Sequence, residues 1–247
     1  MARRRRFRLL AHPKVAVVWR WCRLVAMAWG LSVVFFRFVN PPLTPLIGIR
    51  AVEYLLADKP ALREWVWKPL SYYPVHVQQA VVAAEDARFM DHWGVDLSAV
   101  GDAIDDSDGR SKPRGASTIT MQTVKNVFLW PGRSYLRKIL EAVMAPVAGV
   151  VWGKRRTLEL YLNVIEWGEG IYGLEAAARH YMGKPASQLT LHEAATLAAI
   201  LPNPRKLSPK SLSTVSERRY RRIMREAQAV VVPSSSSMKA SYRWKKG

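Results

Sequence analysis

The stretch from Ala84 to Asp96 concentrates residue types that catalyse proton transfer. Carboxylates at Glu85, Asp86 and Asp91 lie close together in the sequence, directly after an apolar run that predicts a buried helix. A carboxylate fixed at the end of such a helix can act as a general base. The same carboxylates could equally form a solvated helix end with a local salt bridge. The stretch alone therefore leaves a catalytic and a structural interpretation open.

Cationic and amide side chains follow at helical spacing further along the chain. Ser117 is the predicted N-cap of a helix over residues 118–129, which carries Lys125. Arg137 and Glu141 are i, i+4 neighbours on the next predicted helix. Arg offers a planar fork of donors and Lys a point charge, and both can recognise phosphate oxygens. The Arg137–Glu141 pair could instead be a surface ion pair of little energetic consequence.

The distribution of charge separates the ends of the chain from its body. The chain has 247 residues and a formal net charge of +19. Residues 1–37 hold 9 Lys or Arg and no acid, whereas residues 203–247 hold 12 Lys or Arg and 2 acids, so the middle carries 17 charges of each sign. A protein that reads nucleic acid more often carries its basic charge on the folded domain itself. The pattern therefore argues against a nucleic-acid partner.

An apolar segment near the N-terminus predicts a membrane anchor. A basic tail, residues 1–14, precedes an apolar region that is free of charge over residues 24–36. Residues 15–37 supply the ~20 residues that a membrane span needs, with Arg20 and Arg23 snorkelling toward the headgroups. The positive-inside rule keeps the basic tail in the cytoplasm. A signal peptide would need a small-residue cleavage site and an amphipathic helix would need a polar face, and this segment has neither.

Helical periodicity and capping signals dominate the body of the chain. Helices are predicted over residues 77–89, 118–129, 134–151, 154–167, 174–182 and 190–201. Ser134 caps the third of these helices, and a capping box from Thr190 to Glu193 opens the last. Strand signals are scarce, and the glycine-rich segment 168–173 is predicted to be a turn between helices. The body is therefore predicted to be mainly α.

Proline and charge patterns set the predicted boundaries. Prolines at 41, 42 and 45 form a stiff exit from the anchor. One domain is predicted over residues 38–205, followed by a basic, partly disordered tail over residues 206–247. Within this tail, residues 217–231 form a predicted basic helix, but its docking onto the domain is not predicted.

Five motifs follow one another in the body of the chain. They are Glu85-Asp86-x-x-Phe89-x-x-His92-x-Gly94-x-Asp96; Gly115-Ala116-Ser117-Thr118-Ile119-Thr120-Met121-Gln122 with Lys125-Asn126; Arg137-Lys138-x-x-Glu141; Glu159-Leu160-Tyr161-Leu162-Asn163; and Ala176-Ala177 with Tyr181 and Glu193-Ala194. Together they resemble the peptidoglycan glycosyltransferase domain, specifically the monofunctional biosynthetic enzyme of Gram-negative bacteria. The same domain forms the first half of class A penicillin-binding proteins. The resemblance covers residues 41–204, and it departs at Met121, where the family has the first of two paired glutamines.

The resemblance implies a lysozyme-like, two-lobed helical domain after one transmembrane helix. It implies that the 4-hydroxyl of an incoming lipid II attacks a growing glycan linked to undecaprenyl pyrophosphate, forming a β-1,4 bond with inversion. The implied location is the inner membrane, with the catalytic domain in the periplasm. The implied partners are lipid II, the lipid-linked glycan and other proteins of cell-wall synthesis and division. Because no penicillin-binding domain follows, crosslinking is expected to fall to another protein rather than to a transpeptidase activity of this chain.

Carried over motif by motif, the resemblance assigns Glu85 as the general base and Glu141 as a second essential carboxylate. The predicted substrate-binding residues are Asp86, Arg88, Phe89, Ser117, Thr118, Gln122, Lys125, Asn126, Arg133, Arg137 and Lys138. Glu159 and Asn163 are predicted to buttress the fold. The histidines form no metal-ligand cluster, so no built-in metal or cofactor is predicted, although Mg²⁺ or Mn²⁺ could bridge the substrate phosphates.

Two other functions stand as alternatives. A lysozyme-like lytic enzyme also uses carboxylates against a glycan, but glycan cleavage requires no cationic clamp for pyrophosphate. A non-enzymatic, membrane-anchored protein would bind anionic lipid or nucleic acid through its basic ends. The balanced charge of the body argues against this second alternative.

Overall fold

The computed structural model describes residues 13–60, 62, 64–99, 101, 117–132 and 134–234. The chain divides into two compact units, Met1–Asn40 and Pro41–Gly247. The predicted mainly helical architecture, with one apolar helix near the N-terminus, is confirmed.

The first unit contains helix α1, Pro13–Phe38. Its segment Val15–Phe38 has 24 residues and a mean hydropathy of 1.4, which makes it long and apolar enough to cross a membrane. At 1.5 Å per residue such a segment is about 36 Å long, against a hydrocarbon thickness of about 30 Å. Apolar side chains such as Val25 and Leu31 are exposed to solvent. The helix therefore fits the predicted single-pass anchor over residues 15–37.

The second unit is built from helices with a small sheet. Its helices are α2 (Pro45–Leu56), α3 (Val75–Glu85), α4 (Ile119–Phe128), α5 (Tyr135–Val164), α6 (Leu174–Met182), α7 (Leu191–Ala199) and α8 (Thr214–Glu226). Single turns of 3₁₀ helix lie at Leu70–Tyr72, Ala186–Gln188 and Ala227–Ala229. Short strands β1 (Glu64–Trp65), β2 (Glu166–Gly168) and β3 (Ile171–Tyr172) form one sheet in the order β1-β3-β2.

Helix α3 lies at the centre of the hydrophobic core. Val77, Val81 and Val82 are fully buried, and the alanines of the same helix are 0–5% exposed. Small side chains let neighbouring helices approach closely, and α7 and α8 both pack against α3. Burying each valine stabilises the fold by roughly 1.5–3 kcal/mol. The core therefore fixes the helix whose last residue is Glu85.

Helix α5 is interrupted near its middle. Gly153 has a φ of 66°, outside the helical region, so α5 consists of two helical segments that meet at a kink. A φ of this sign strains every residue type except glycine. The predicted break between helices at residues 151–154 is confirmed. Ser134 caps the first segment as predicted, accepting a hydrogen bond from the Arg137 amide.

A close backbone crossing joins the loop after α3 to the first segment of α5. A β-carbon built on Gly149 would lie 2.5 Å from the carbonyl oxygen of Trp93. A β-carbon on Gly94 would lie 2.5 Å from the carbonyl group of Ala145, and Gly94 also has a φ of 135°. Both positions therefore require glycine. This crossing holds the first sequence motif against the helix that carries Arg137 and Glu141.

The segment over residues 168–173 differs from its prediction. It contributes to an antiparallel pair, β2 and β3, with a bulge between Glu166 and Gly168. β3 also pairs in parallel with β1. The predicted turn between helices is wrong because strands of two or three residues are too short to show the alternation that marks a strand in a sequence.

Helix α8 continues the folded unit beyond the predicted boundary at residue 205. It packs against α3 and α7, and it buries Ser216 and Ile223. Ser213 caps its N-terminus by accepting a hydrogen bond from the Ser216 amide. The sequence did not reveal this docking, because α8 is rich in basic residues and buries only two of its residues.

Candidate active site

A cleft of about 500 Å³ opens in the second unit. That volume lies within the range of small-molecule sites. Helices α2, α4 and α5, strand β2 and the segment after α7 contribute to its wall. The lining residues are Leu46, Arg50, Ser117, Gln122, Lys125, Asn126, Trp130, Pro131, Gly132, Arg137, Lys138, Glu141, Ile165, Glu166, Leu201, Pro202 and Pro204. Seven of the predicted site residues are among them: Ser117, Gln122, Lys125, Asn126, Arg137, Lys138 and Glu141.

Glu141 is a buried carboxylate that anchors a group of cations in the cleft wall. The residue is 3% exposed, and its carboxylate contacts the guanidinium of Arg137 and, at 3.2 Å, Nζ of Lys138. Lys138 Nζ also donates to Oγ of Ser117. A buried carboxylate must be paired to remain charged. The interpretation of Arg137–Glu141 as a surface pair is therefore wrong, and Glu141 holds two cations in fixed positions.

Burial and mutual repulsion disfavour the positive charges of this group. Burial lowers the pKa of Lys125, and the charge of Arg137 lowers it further, while Glu85 and Glu166 oppose the shift. Burial also lowers the pKa of Lys138, with Arg137 and Lys125 adding to the effect. Cations held in such surroundings are stabilised when an anion binds among them. The cleft is therefore suited to a phosphate-bearing group.

Glu85 is not among the residues that line the cleft, but its carboxylate is hydrogen-bonded to Gln122, which does line it. Nε2 of Gln122 donates a 2.7 Å hydrogen bond to Oε2 of Glu85, and Oε1 of Gln122 accepts from the hydroxyl of Tyr161 at 3.4 Å. The Glu85 side chain is only 12% exposed. Because Gln122 contacts both Glu85 and the cleft, it fixes the carboxylate next to the cationic group.

Arg219 is a site residue that the sequence analysis did not predict. Its Nη2 contacts Oε1 of Glu85 and donates to the carbonyl oxygen of Ala84 at 2.8 Å. Arg222 donates to the same carbonyl at 3.1 Å. Both arginines lie on α8, and they donate hydrogen bonds to a backbone carbonyl at the C-terminal end of α3. The N-cap at Ser213 was the available signal that this helix is ordered.

Asp86, a predicted substrate-binding residue, is held by hydrogen bonds within the protein. Its Oδ2 accepts a 2.9 Å hydrogen bond from the amide of Ile119, and its Oδ1 lies 3.0 Å from Nε2 of His92. The carboxylate thus lies at the N-terminus of α4, where the helix dipole favours negative charge. Asp86 is only 8% exposed, so it positions α4 rather than contacting a ligand in the cleft.

Phe89 and Thr118 are likewise part of the packed interior. Phe89 is 0% exposed, with Nζ of Lys154 4.5 Å from its ring centroid. Thr118 is 2% exposed, caps α4 and donates its hydroxyl to the Gly94 carbonyl. The predicted N-cap at Ser117 is therefore wrong by one residue, since Thr118 is the N-cap. The Ser117 hydroxyl instead accepts a hydrogen bond from Lys138.

The remaining predicted residues differ in their relation to the cleft. Arg88 donates from Nε to Oδ2 of Asp96 at 2.8 Å and is not among the residues of the cleft wall. Arg133 lies outside the described residues, as do Gly115 and Ala116 of the second motif. Asn126 lines the cleft and is 3% exposed.

The fourth motif supports the fold, as its predicted role requires. Oε2 of Glu159 accepts a 2.9 Å hydrogen bond from the amide of Leu70. The side chain of Asn163 bonds to both the amide and the carbonyl of Lys68, at 2.8 and 2.9 Å. Together they tie the second segment of α5 to the chain that leads into α3.

Asp86, His92 and Asp96 offer ligand atoms within 4.8 Å of one another. This group was not identified in the sequence analysis, which found no metal-ligand cluster among the histidines. The carboxylate oxygens already have protein partners: Asp86 bonds to His92 and Ile119, and Asp96 bonds to Arg88, Ser98 and Ala99. These hydrogen bonds indicate that the three side chains belong to a structural network within the first motif.

The helical fold brings a buried carboxylate and several cations together in one cleft, an arrangement suited to an enzyme active site. The family model described as transglycosylase matches residues 54–228. The chain therefore belongs to the transglycosylase family, and it is an enzyme of glycosyl transfer. The matched region includes α8 and extends beyond the predicted boundary at residue 205.

Relatives of known name support the same assignment. The biosynthetic peptidoglycan transglycosylase of Marinomonas sp. (strain MWYL1) is 44% identical over 212 residues, covering 86% of this chain and 88% of the relative. The protein of the same name from Rhodospirillum centenum is 47% identical over 195 residues, covering 76% and 82%. That of Caulobacter vibrioides is 47% identical over 176 residues, covering 71% and 74%.

Proposed function

We propose that this protein polymerises lipid II into the β-1,4 glycan strands of peptidoglycan. The donor is a glycan linked to undecaprenyl pyrophosphate, and the acceptor is the 4-hydroxyl of an incoming lipid II. The proposal rests above all on one observation: Lys125, Arg137 and Lys138 line one cleft with Glu141, and Gln122 connects that cleft to Glu85. The names of the relatives point to the same polymer.

Glu85 is the base in this proposal. As the acceptor oxygen attacks the donor's anomeric carbon, the hydroxyl proton passes to the Glu85 carboxylate. Gln122 and Arg219 each engage one carboxylate oxygen and hold the group in one orientation. Fixing the base before substrate arrives lowers the entropic part of the barrier.

The cationic group stabilises the leaving pyrophosphate. Bond breaking at the anomeric carbon places negative charge on the phosphate oxygens, and cations fixed nearby stabilise that charge without reorganising. Glu141 keeps Arg137 and Lys138 in place. A Mg²⁺ or Mn²⁺ ion arriving with the pyrophosphate would add positive charge at the same point.

The proposed location is the inner membrane, with helix α1 as a single span. The basic residues that precede the span favour a cytoplasmic N-terminus. The second unit then lies in the periplasm, where lipid-linked substrate is polymerised. Proposed partners are the lipid-linked glycan and other proteins of cell-wall synthesis and division.

Polymerisation of lipid II by the full-length protein tests this function. We expect the wild type to produce long glycan strands and Glu85→Gln to lower the rate at least ~100-fold, since a positioned base contributes roughly 10²–10⁴. Glu217→Gln, a matched change at an exposed carboxylate of α8, should leave the rate unchanged. Shortening of preformed glycan without polymer would identify a lytic enzyme. Salt-sensitive binding of lipid without any turnover would identify a binding protein.

A further inference from the structure

Arg50 and Glu166 form a second charged pair in the wall of the cleft. Arg50 lies on α2 and Glu166 on β2, and both line the same cleft as Lys125 and Glu141. Neither residue belongs to the cationic group described above. The charges of Glu166 and Arg50 act on Lys125, so the pair lies close to the position assigned to the pyrophosphate.

The two side chains face each other without completing a hydrogen bond. The hydroxyl of Tyr54 donates to Oε1 of Glu166 at 2.6 Å, which fixes the carboxylate. Nε of Arg50 is 3.5 Å from Oε2 of Glu166, longer than an ordinary hydrogen bond. That Nε is buried and has no hydrogen-bond partner among the described residues. The ion pair therefore leaves donor and acceptor capacity unused.

Although Nε of Arg50 is buried, the side chains of Arg50 and Glu166 remain partly accessible. The side chains of Arg50 and Glu166 are 17% and 10% exposed, and both belong to the cleft wall. A small ligand in the cleft can thus contact the guanidinium and the carboxylate together.

The charges around Arg50 determine which kind of ligand can bind there. Arg50 is flanked by two carboxylates, Glu53 and Glu166, which it contacts on either side. A phosphate placed here would meet Glu166, and an ammonium group would meet Arg50. A hydroxyl or an amide both donates and accepts hydrogen bonds, so it can satisfy the guanidinium and the carboxylate at once.

We propose that Arg50 and Glu166 form a saccharide subsite that binds a hydroxyl or acetamido group of a sugar ring next to the pyrophosphate. The inference rests on the proposed function, because it takes the cationic group as the position of that pyrophosphate. The cleft is then divided by charge: a cationic part for the phosphates and a balanced part for the sugar. Tyr54 is a positioning residue, since its hydroxyl holds Oε1 of Glu166 while Arg50 faces Oε2.

The affinity for substrate tests the subsite. We expect Glu166→Gln to raise the KM for lipid II about tenfold, the effect of losing one hydrogen bond to a charged group, with kcat within about twofold of wild type. The glutamine retains an oxygen that can accept from Tyr54, so the melting temperature should remain at the wild-type value. Arg50→Lys keeps the charge and loses the planar donor fork, so it should raise KM in the same way.

Glu169→Gln is the matched control on the same hairpin. Its carboxylate pairs with Lys59 at 2.8 Å and does not line the cleft, so its KM should equal that of wild type. An unchanged KM in Glu166→Gln would overturn the subsite. A fall in kcat together with the melting temperature would also overturn it, because that result identifies a purely structural pair.

Saccharide binding separates this inference from the proposed function. Saturation-transfer NMR with a lipid-free β-1,4-linked GlcNAc–MurNAc tetrasaccharide should show binding to the wild type that Glu166→Gln weakens and Glu169→Gln leaves intact. If the wild type makes no polymer, the proposed function fails while this binding still decides the subsite. If the wild type makes polymer and tetrasaccharide binding is equal in all three proteins, the subsite alone fails.

Discussion

At the scale of residues, the orientation of one carboxylate depends on side chains from distant parts of the chain. Glu85 ends α3, Gln122 approaches it from α4, and Arg219 approaches it from α8. Gln122 and Arg219 each contact one oxygen of that carboxylate, so the two side chains together fix its orientation. Arg219 is therefore a positioning residue for the candidate base.

Replacing Arg219 should slow turnover without weakening substrate binding. We expect Arg219→Gln to lower kcat about tenfold with KM unchanged, since the loss removes one charge-assisted hydrogen bond from the base. Arg219→Lys should restore part of the rate, because it retains the charge. Arg221→Gln, on the same helix with its side chain paired to the exposed Glu217, is the control. Steady-state kinetics with lipid II would contradict this role if KM rose and kcat stayed constant.

The residue types of the cleft could be predicted from the sequence, but their partners could not. Arg137 and Glu141 stand four residues apart on α5, and helical geometry alone places them on one face. Lys125 lies on α4, and only the packing of the two helices brings it to the same cleft. Arg219 lies 134 residues from Glu85, and no local pattern connects them. Asp86 and Phe89 were assigned to substrate because a motif shows only which residues occur together, whereas burial decides whether they can reach a ligand.

At the scale of elements, the crossing of the loop after α3 over α5 sets the distance between the two parts of the site. The backbone carbonyl of Trp93 contacts the helix at Gly149, and the backbone at Gly94 contacts Ala145. Glu141 lies one turn before Ala145 on the same helix. Any separation of loop and helix would therefore move the cationic group relative to the first motif.

Gly149→Ala should destabilise the protein through this crossing. The new methyl group would lie 2.5 Å from the Trp93 carbonyl oxygen, and overpacking of this kind costs roughly 1–3 kcal/mol. At about 2–4 °C per kcal/mol for a chain of this size, the melting temperature should fall by several degrees. Gly48→Ala on α2 is the matched helical control, since its nearest neighbour would be 3.9 Å away. Equal melting temperatures for the two variants would show that the loop gives way without cost.

Helix boundaries with strong local signals were predictable from the sequence. The capping box at Thr190 and the end of α6 at Met182 both occur as predicted. The hairpin of β2 and β3 was not predictable because its order comes from pairing with β1, about a hundred residues earlier. Docking of α8 also depends on tertiary contacts, since its sequence is dominated by exposed cations.

At the scale of the whole molecule, apolar surface is concentrated where a lipid-linked substrate would require it. The first segment of α5 carries its cleft residues on one face and an exposed apolar stripe on another. The stripe consists of Leu136, Ile139, Val143, Val147 and Val150, which are 46–66% exposed. Their spacing follows the helical repeat. Contiguous apolar surface of this kind indicates contact with a membrane or a partner protein, and α1 already tethers the chain to a bilayer in the proposed arrangement.

We expect the stripe to contact acyl chains when the full-length protein is reconstituted into liposomes. Cys22 is the one cysteine of the chain, so Cys22→Ser followed by Val143→Cys allows a single fluorescent label on the stripe. Lipids with brominated acyl chains should quench that label, because a helix lying in the interface buries its apolar face about 5–10 Å deep. A label at Val215→Cys, on α8 and 74% exposed, should be quenched far less. Weak quenching that is equal at both positions would show that the bilayer does not reach α5. The stripe would then be assigned to a protein partner.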